Sequence, residues 1–297
     1  MQKVFIAGCG YIGERVAWRF RELDSSVTCM VRSPEHAEKL HADGFKVLAS
    51  ALDEPDVLPE LDLTDAVLFY LVPPPGGGIV DARARNFIAT LSRSGKPAKL
   101  IYISATSVYS EAGGKMVTEE SPASPDSSMG KRRLDAEKAF LEFGLTNDVP
   151  VVILRVSGIY GFGRLPLMQI SQGQPLLNET ESGPSNRIHA DDLVEICIAA
   201  AERGKNGDIF NVSDGNPCSM TTYFNACADI LGFPRQPQIP LSEAREAMSP
   251  LMYSYVSQSR IIVNDRMLKQ LKVTLKYPTL SGGLAASVPS SSSNTSC

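Results

Sequence analysis

The most constraining stretch of this chain is its start, MQKVFIAGCGYIG, where a short apolar run meets glycines at positions 8, 10 and 13. Val4, Phe5, Ile6 and Ala7 read as a strand buried on both faces. Ile12, Val16, Phe20 and Leu23 then recur at spacings of four, four and three, which is one face of a helix. Between them lies Gly8-Cys9-Gly10-Tyr11-Ile12-Gly13, a G-x-G-x-x-G. Strand, glycine turn and helix together make a dinucleotide-binding fingerprint rather than a chance match. The first glycine lets the chain turn off the strand. The second admits a pyrophosphate close to the backbone, and the third lets the helix pack on the sheet. The helix N-terminus then offers free N–H groups and a partial positive charge. Ile6-Ala7-Gly8-Cys9 superficially fits a lipidated signal sequence, but only about four apolar residues precede the cysteine where a signal core needs ~7–15.

The pattern continues as apolar strands alternating with amphipathic helices. Strands are predicted at 26–31, 45–49, 66–72, 100–104 and 151–155, and helices beginning at Pro34 and covering 131–143. Ser33 is the predicted cap of the first of these helices, with Pro34 at its opening position. Such alternation gives an α/β, Rossmann-like, doubly wound parallel sheet, whose ligands bind beyond the carboxyl ends of the strands. That places Gly8–Gly13, Arg32, Val72-Pro73, Ser104–Tyr109 and Ser157–Gly163 along one rim. After Gly161 the pattern loosens, with a helix predicted at 191–202, a strand at 208–212 and a helix at 221–231. The predicted organisation is a dinucleotide-binding domain over 1–160 and a smaller α/β substrate lobe over 161–280, interleaved with the sheet edge. The Ser-rich stretch 281–297 is predicted to be disordered.

A net charge of −4 gives no electrostatic case for nucleic acid or an anionic membrane surface. No apolar run approaches the ~18 residues of a membrane span. The six cysteines form no C-x-x-C pair and the chain has three histidines, so no metal site is expected. Free buried thiols in a reducing cytoplasm are the default, with a small molecule as the partner.

The end of the second strand chooses between cofactors. An acidic residue there binds a ribose 2′-hydroxyl, whereas a guanidinium matches a 2′-phosphate. This chain carries Arg32 followed by Ser33, which favours NADP(H), with NAD as the alternative.

Six stretches resemble the extended and atypical short-chain dehydrogenase/reductases of the NAD-dependent epimerase/dehydratase type, and more narrowly the YeeZ-like bacterial proteins. They are FIAGCGYIG at 5–13, YISATSVYS at 102–110, P-x-x-x-x-G-K-R-R-L-D-A-E at 125–137, LRVSGIYGFGR at 154–164, RIHADDL at 187–193 and FNVSDG at 210–215. The resemblance implies cofactor contacts from Gly8, Cys9, Gly10, Tyr11, Ile12, Gly13, Arg32, Ser33, Leu52, Val72, Pro73, Arg133, Ser157 and Ile159. It also implies homodimers built from helices at 79–94 and 130–143.

The departures bear on the chemistry. The superfamily uses a Tyr and a Lys spaced Y-x-x-x-K, plus a Ser or Thr at the fifth strand's end. Here those positions fall on Met129, Arg133 and Ala105, and an adenine-contacting Asp position falls on Ala51. Methionine cannot transfer a proton and alanine cannot hydrogen-bond; losing a positioned proton donor costs about 10²–10⁴ in rate. Arg133, Tyr160 and His189 are the candidate catalytic groups that remain. Tyr160 can equally be a packed aromatic, and His189 a histidine at a helix entry. Ser104 and Thr106 flank Ala105; strand alternation points them to the other face, though a local bulge could re-aim one. Two functions follow: an NADP-dependent oxidoreductase or epimerase-like enzyme with a non-standard triad, or a catalytically silent NADP(H)-binding sensor or scaffold.

Overall fold

The computed structural model describes residues 1–54, 58–110 and 112–289, with Leu251 described by its backbone alone. Seven strands form one sheet: β1 (Lys3–Ala7), β2 (Ser26–Val31), β3 (Lys46–Ala49), β4 (Val67–Tyr70), β5 (Lys99–Ala105), β6 (Val151–Val156) and β7 (Ile209–Val212). Their order is β3-β2-β1-β4-β5-β6-β7, and every neighbouring pair is parallel. The chain builds outward from β1 to β3, crosses back, and builds outward from β4 to β7. The strand order therefore reverses between β1 and β4, leaving a crevice at their carboxyl ends.

Side-chain alternation explains the two covered faces. Ile6, Phe69, Ile101 and Leu154 point to one side, where α1 (Tyr11–Glu22) and, later in the chain, a helix over Ala190–Arg203 bring Val16, Phe20, Leu193 and Ile196. Phe5, Leu68, Tyr102 and Ile153 point to the other, against Phe87 and Phe140. Those two come from α3 (Ala82–Leu91) and α4 (Ser128–Asn147), while α2 (Pro34–Ala42) links β2 to β3. The Ser33 hydroxyl caps α2 by accepting from the His36 N–H. Ser127 does the same for α4, which starts three residues before its predicted beginning at 131 and runs four past 143.

The chain beyond 160 plays two parts. The 190–203 helix, labelled α5, and β7 complete the sheet and its cover. A third core, around Leu176, Tyr223, Phe224 and Met252, is built by helices Met220–Leu231, Leu241–Ala247 and Pro250–Val256 with short strand pairs. The prediction of disorder from 281 is overturned for 281–289. Leu280–Ala286 is helical, Thr279 caps it, and Leu284 is buried in this third core. The small residues that made the stretch look featureless are those that let the helix sit close. Residues 290–297 lie outside the described residues. Asp192 anchors the approach to this helix, accepting from the backbone N–H groups of Lys276 at 2.6 Å and Tyr277 at 3.0 Å.

Among the described residues no helix is long and apolar enough to cross a membrane. Cys9, Cys29, Cys197 and Cys227 are free and buried, and Cys218 is free and half-buried.

Candidate cofactor and substrate site

A cavity of about 540 Å³ opens over the carboxyl ends of β1, β2 and β4. All six residues of the glycine turn line it, and the three glycines behave as three different constraints. Gly8 has φ +87°, and a Cβ there would lie 2.8 Å from the Val72 nitrogen. A Cβ on Gly13 would lie 2.8 Å from the Gly8 carbonyl oxygen. A Cβ on Gly10 would meet nothing within 4 Å. Gly8 and Gly13 are thus required by the protein's own packing, whereas Gly10 leaves open space in front of α1. Gly10 is the N-cap of α1 and no side chain caps it, so the first turn's N–H groups and the helix dipole are left to a ligand. This is the fit an anionic diphosphate requires.

At the end of β2, Arg32 is exposed and borders the same cavity with Ser33 and Leu52. Val72 and Pro73 form the opposite lip. Sequence reasoning missed Asp53 and Arg83. The Arg83 guanidinium donates to Asp53 at 2.7 Å and to the Pro73 carbonyl at 3.2 Å, tying α3 across to the loop after β3. Arg83, foremost, and Arg32 hold the Asp53 carboxyl below its usual range. Ala51, on which the acidic position falls, and Asp53 both line the first cavity.

A second cavity, about 570 Å³, adjoins the first, and Arg133, Ile159 and Arg164 line both. Arg133 donates to the Ile103 carbonyl at 2.9 Å and stands 3.5 Å from the Tyr102 hydroxyl. Burial pushes that phenol up to about 12, against the pull of Arg133. Ala105 and Met129 line the second cavity, so the two substituted positions do face a ligand-sized space. Thr106 and Ser107 line it as well. The expectation that alternation turns Thr106 away is wrong, because the strand ends at Ala105 and one 3₁₀ turn, Thr106–Val108, re-aims the chain. Ser104 follows the alternation and donates to Glu137 on the buried side. Ser157 borders the second cavity rather than the first; its N–H is taken by the Val212 carbonyl at 3.0 Å.

Two candidate catalytic groups are corrected. Tyr160 borders the second cavity, yet its hydroxyl is buried without a hydrogen-bond partner and occupies the space a side chain at 283 would take. Burial raises its pKa. His189 lines neither cavity. Its Nδ1 accepts from the Asp191 N–H at 3.2 Å and caps α5, while burial keeps its pKa below the ordinary histidine value. Of the three candidates, only Arg133 lines both cavities.

Arg164 and Arg187 complete the cationic lining. The Arg164 guanidinium lies 5.1 Å from the Tyr11 ring, whose hydroxyl donates to the Phe162 carbonyl at 2.9 Å. Arg187 is buried, with its guanidinium 3.9 Å from the Tyr223 ring. Their signals, G-F-G-R and R-I-H-A-D-D, lay in the sequence without showing that both side chains converge on one space.

Residues 82–213 match the model of the NAD dependent epimerase/dehydratase family. That match spans a little under half of the chain. Residues 4–113 also match the TrkA-N domain. A functionally unknown conserved protein from Silicibacter pomeroyi has a similar fold, with 26% identity, coverage of 96% of this chain and 98% of that one, and a TM-score of 0.81. A 3-diazoavenalumate denitrifying reductase from a Streptomyces species is 25% identical over 95% of this chain and 99% of its own. A 4-hydroxy-2-methyl-3-oxo-4-farnesyl-3,4-dihydroquinoline-1-oxide ketoreductase from Stigmatella aurantiaca is 23% identical over 83% and 78%. Human dTDP-D-glucose 4,6-dehydratase is 27% identical, but over only 45% of this chain and 40% of its own length.

Proposed function

We propose that the chain binds NADP(H) in the glycine cradle and acts as a reductase on a small molecule held in the second cavity. The observation that carries this reading is the shared wall: Arg133, Ile159 and Arg164 line both cavities, so dinucleotide and substrate would meet there. The cradle in front of Gly10 and the uncapped start of α1 would take the diphosphate, and Arg32 with Ser33 would meet a 2′-phosphate. When bound, the nicotinamide supplies a hydride.

The chain's own residues favour one-way reduction over epimerisation or dehydration. Epimerisation needs a side chain that takes a proton from a carbinol and returns it, and Met129 occupies that place. Dehydration needs an acid–base pair at the sugar, and among the described residues no Asp or Glu lines the second cavity. Arg133 would orient the cofactor ribose or the substrate's acceptor oxygen as a permanent cation, with Thr106 and Ser107 as nearby hydroxyl donors. The Streptomyces and Stigmatella sequence relatives, which match over most of their length, carry reductase names, whereas the human dehydratase sequence matches over less than half. A homodimer through α3 and α4 and a cytoplasmic setting go with this reading.

The test is titration of the chain with NADPH and NADH, followed by NADPH oxidation across a panel of carbonyl compounds. Tighter NADPH binding, lost in Arg32→Asp, with turnover of at least one compound, supports the reading. Binding without turnover of any compound supports the catalytically silent sensor instead, and no binding overturns both.

A further inference from the structure

Arg32, Arg83, Arg133 and Arg164 all line the first cavity. Two of them are committed to the protein. Arg83 donates to Asp53 at 2.7 Å and to the Pro73 carbonyl at 3.2 Å. Arg133 donates to the Ile103 carbonyl at 2.9 Å. The guanidinium groups of Arg32 and Arg164 take part in no hydrogen bond or ion pair among the described residues. NADP(H) brings two anionic groups, a 2′-phosphate and a diphosphate, and Arg32 at the end of β2 suits the first. Arg164 stands elsewhere.

The Arg164 guanidinium lies 5.1 Å from the ring of Tyr11, the first residue of α1. The turn that carries it is fastened to α1. The Tyr11 hydroxyl donates to the Phe162 carbonyl at 2.9 Å, and Arg15 donates to the same oxygen at 3.4 Å. The Arg164 N–H closes the turn on the Gly161 carbonyl at 3.0 Å. So close an approach needs glycine at 161, where a Cβ would lie 2.9 Å from the Tyr11 hydroxyl and 3.1 Å from the Ala190 Cβ. A second arginine covers the Tyr11 ring, Arg15 at 4.0 Å, but it lines neither cavity. Its donors go to the Tyr11 and Phe162 carbonyls, and Asp191 stands 3.9 Å away. Stacking on Tyr11 holds the Arg164 guanidinium without using its N–H groups. It is therefore the cation beside the uncapped start of α1 that keeps its donors for a ligand.

We propose that Arg164 is the side-chain counterion of the dinucleotide's diphosphate. This rests on the reading of the first cavity as the dinucleotide site and gives that site a residue from outside the glycine turn. The turn and the helix dipole offer N–H groups and a partial charge. A guanidinium adds a full charge and a fork that matches phosphate oxygens. The two arginines then divide the work. Arg32 sets the choice between NADPH and NADH, and Arg164 sets the affinity for the part that both share.

Calorimetric titration of the full chain, Arg164→Met and Arg164→Lys with NADPH, NADH and inorganic pyrophosphate tests this. The expected result is that Arg164→Met weakens NADPH and NADH by the same factor, roughly tenfold or more, with partial recovery in Arg164→Lys. The gap should narrow as potassium chloride is raised, because Arg164 is exposed. Arg32→Asp, by contrast, should weaken NADPH far more than NADH. An unchanged thermal melt of ligand-free Arg164→Met shows that the variant is folded. Equal dinucleotide affinity in wild type and Arg164→Met overturns the proposal and leaves the reductase reading standing. A loss confined to NADPH overturns it too, by placing Arg164 at the 2′-phosphate. Failure of the wild type to bind either dinucleotide strikes the reductase reading instead, and pyrophosphate then decides. Pyrophosphate binding that is weakened in Arg164→Met upholds the assignment, and equal binding or none overturns it.

Discussion

The hydroxyl of Tyr160 fills the place that a side chain at Gly283 would occupy. The last helix of the described chain, Leu280–Ala286, therefore closes over the turn that follows β6, and it does so only because position 283 has no Cβ. Gly283→Ala is expected to destabilise the fold by about 1–3 kcal/mol, the usual cost of overpacking a filled core. Tyr160→Phe removes a buried oxygen that has no partner, so it should leave stability unchanged or raised by about 1 kcal/mol and leave turnover within roughly twofold. Urea denaturation and steady-state rates check both. A large loss of rate in Tyr160→Phe would restore that phenol as the proton donor.

The glycine turn separates folding from binding. A Cβ at Gly13 would press on the Gly8 carbonyl, whereas a Cβ at Gly10 meets only the open cradle. Gly10 also has a negative φ of −101°, outside the left-handed region that disfavours an L side chain. Gly10→Ala should keep the thermal stability of the cofactor-free chain and weaken NADPH binding by about tenfold or more. Gly13→Ala should lower stability itself, by roughly 1–3 kcal/mol. Thermal melts with and without NADPH distinguish the two. Equal NADPH affinity in Gly10→Ala would place the diphosphate elsewhere.

What was legible in the sequence follows from how far each signal reaches along the chain. The strand, turn and helix at 1–23 are set by neighbouring residues, and the strand ends that border the first cavity follow from parallel topology alone. Arg32, Leu52, Val72 and Pro73 could be placed without knowing any long-range contact. Tyr160 could not, because the direction of its hydroxyl is fixed by Gly283, far along the chain in a stretch whose small residues resemble a featureless tail. Thr106 was misdirected by a rule that holds only inside a strand, and the 3₁₀ turn begins at that residue. Arg187 and Arg164 were visible as letters, but their convergence on one cavity is a property of the tertiary fold.

Beneath the second cavity a buried pair links helix to sheet. Arg155 on β6 meets both oxygens of Glu137 on α4, at 3.1 and 2.8 Å, and donates to the Tyr109 hydroxyl at 2.9 Å. Tyr109 in turn donates to Asn211 at 2.8 Å, so three strands and a helix share one polar network. Removing one member leaves a buried charge unpaired. Glu137→Ala is expected to cost about 3–5 kcal/mol, and Ser104→Ala, which only trims a donor to that carboxylate, about 1.5–3 kcal/mol. A double-mutant cycle with Arg155→Met should recover much of the Glu137→Ala loss. Simple addition of the two losses would show that the pair is not coupled.

Asp214 gives the chain a pH dependence of opposite sign to ordinary acid denaturation. Burial raises its pKa from 3.8 to about 6, against the Asn216 N–H that it accepts at 2.9 Å and the charge of Arg187. A carboxyl whose pKa is higher folded than unfolded stabilises the protonated fold. Its contribution is fully present below 3.8 and is lost as pH rises through about 6. Asp214→Asn keeps the acceptor and removes the charge. It should therefore be more stable than wild type by about 1–3 kcal/mol at pH 8, with the gap closing as pH falls below 4. Urea midpoints measured for both proteins from pH 4 to 8 read this directly. A gap that stays constant with pH would mean that Asp214 titrates alike in the folded and unfolded chains, and that its burial is relieved by Arg187.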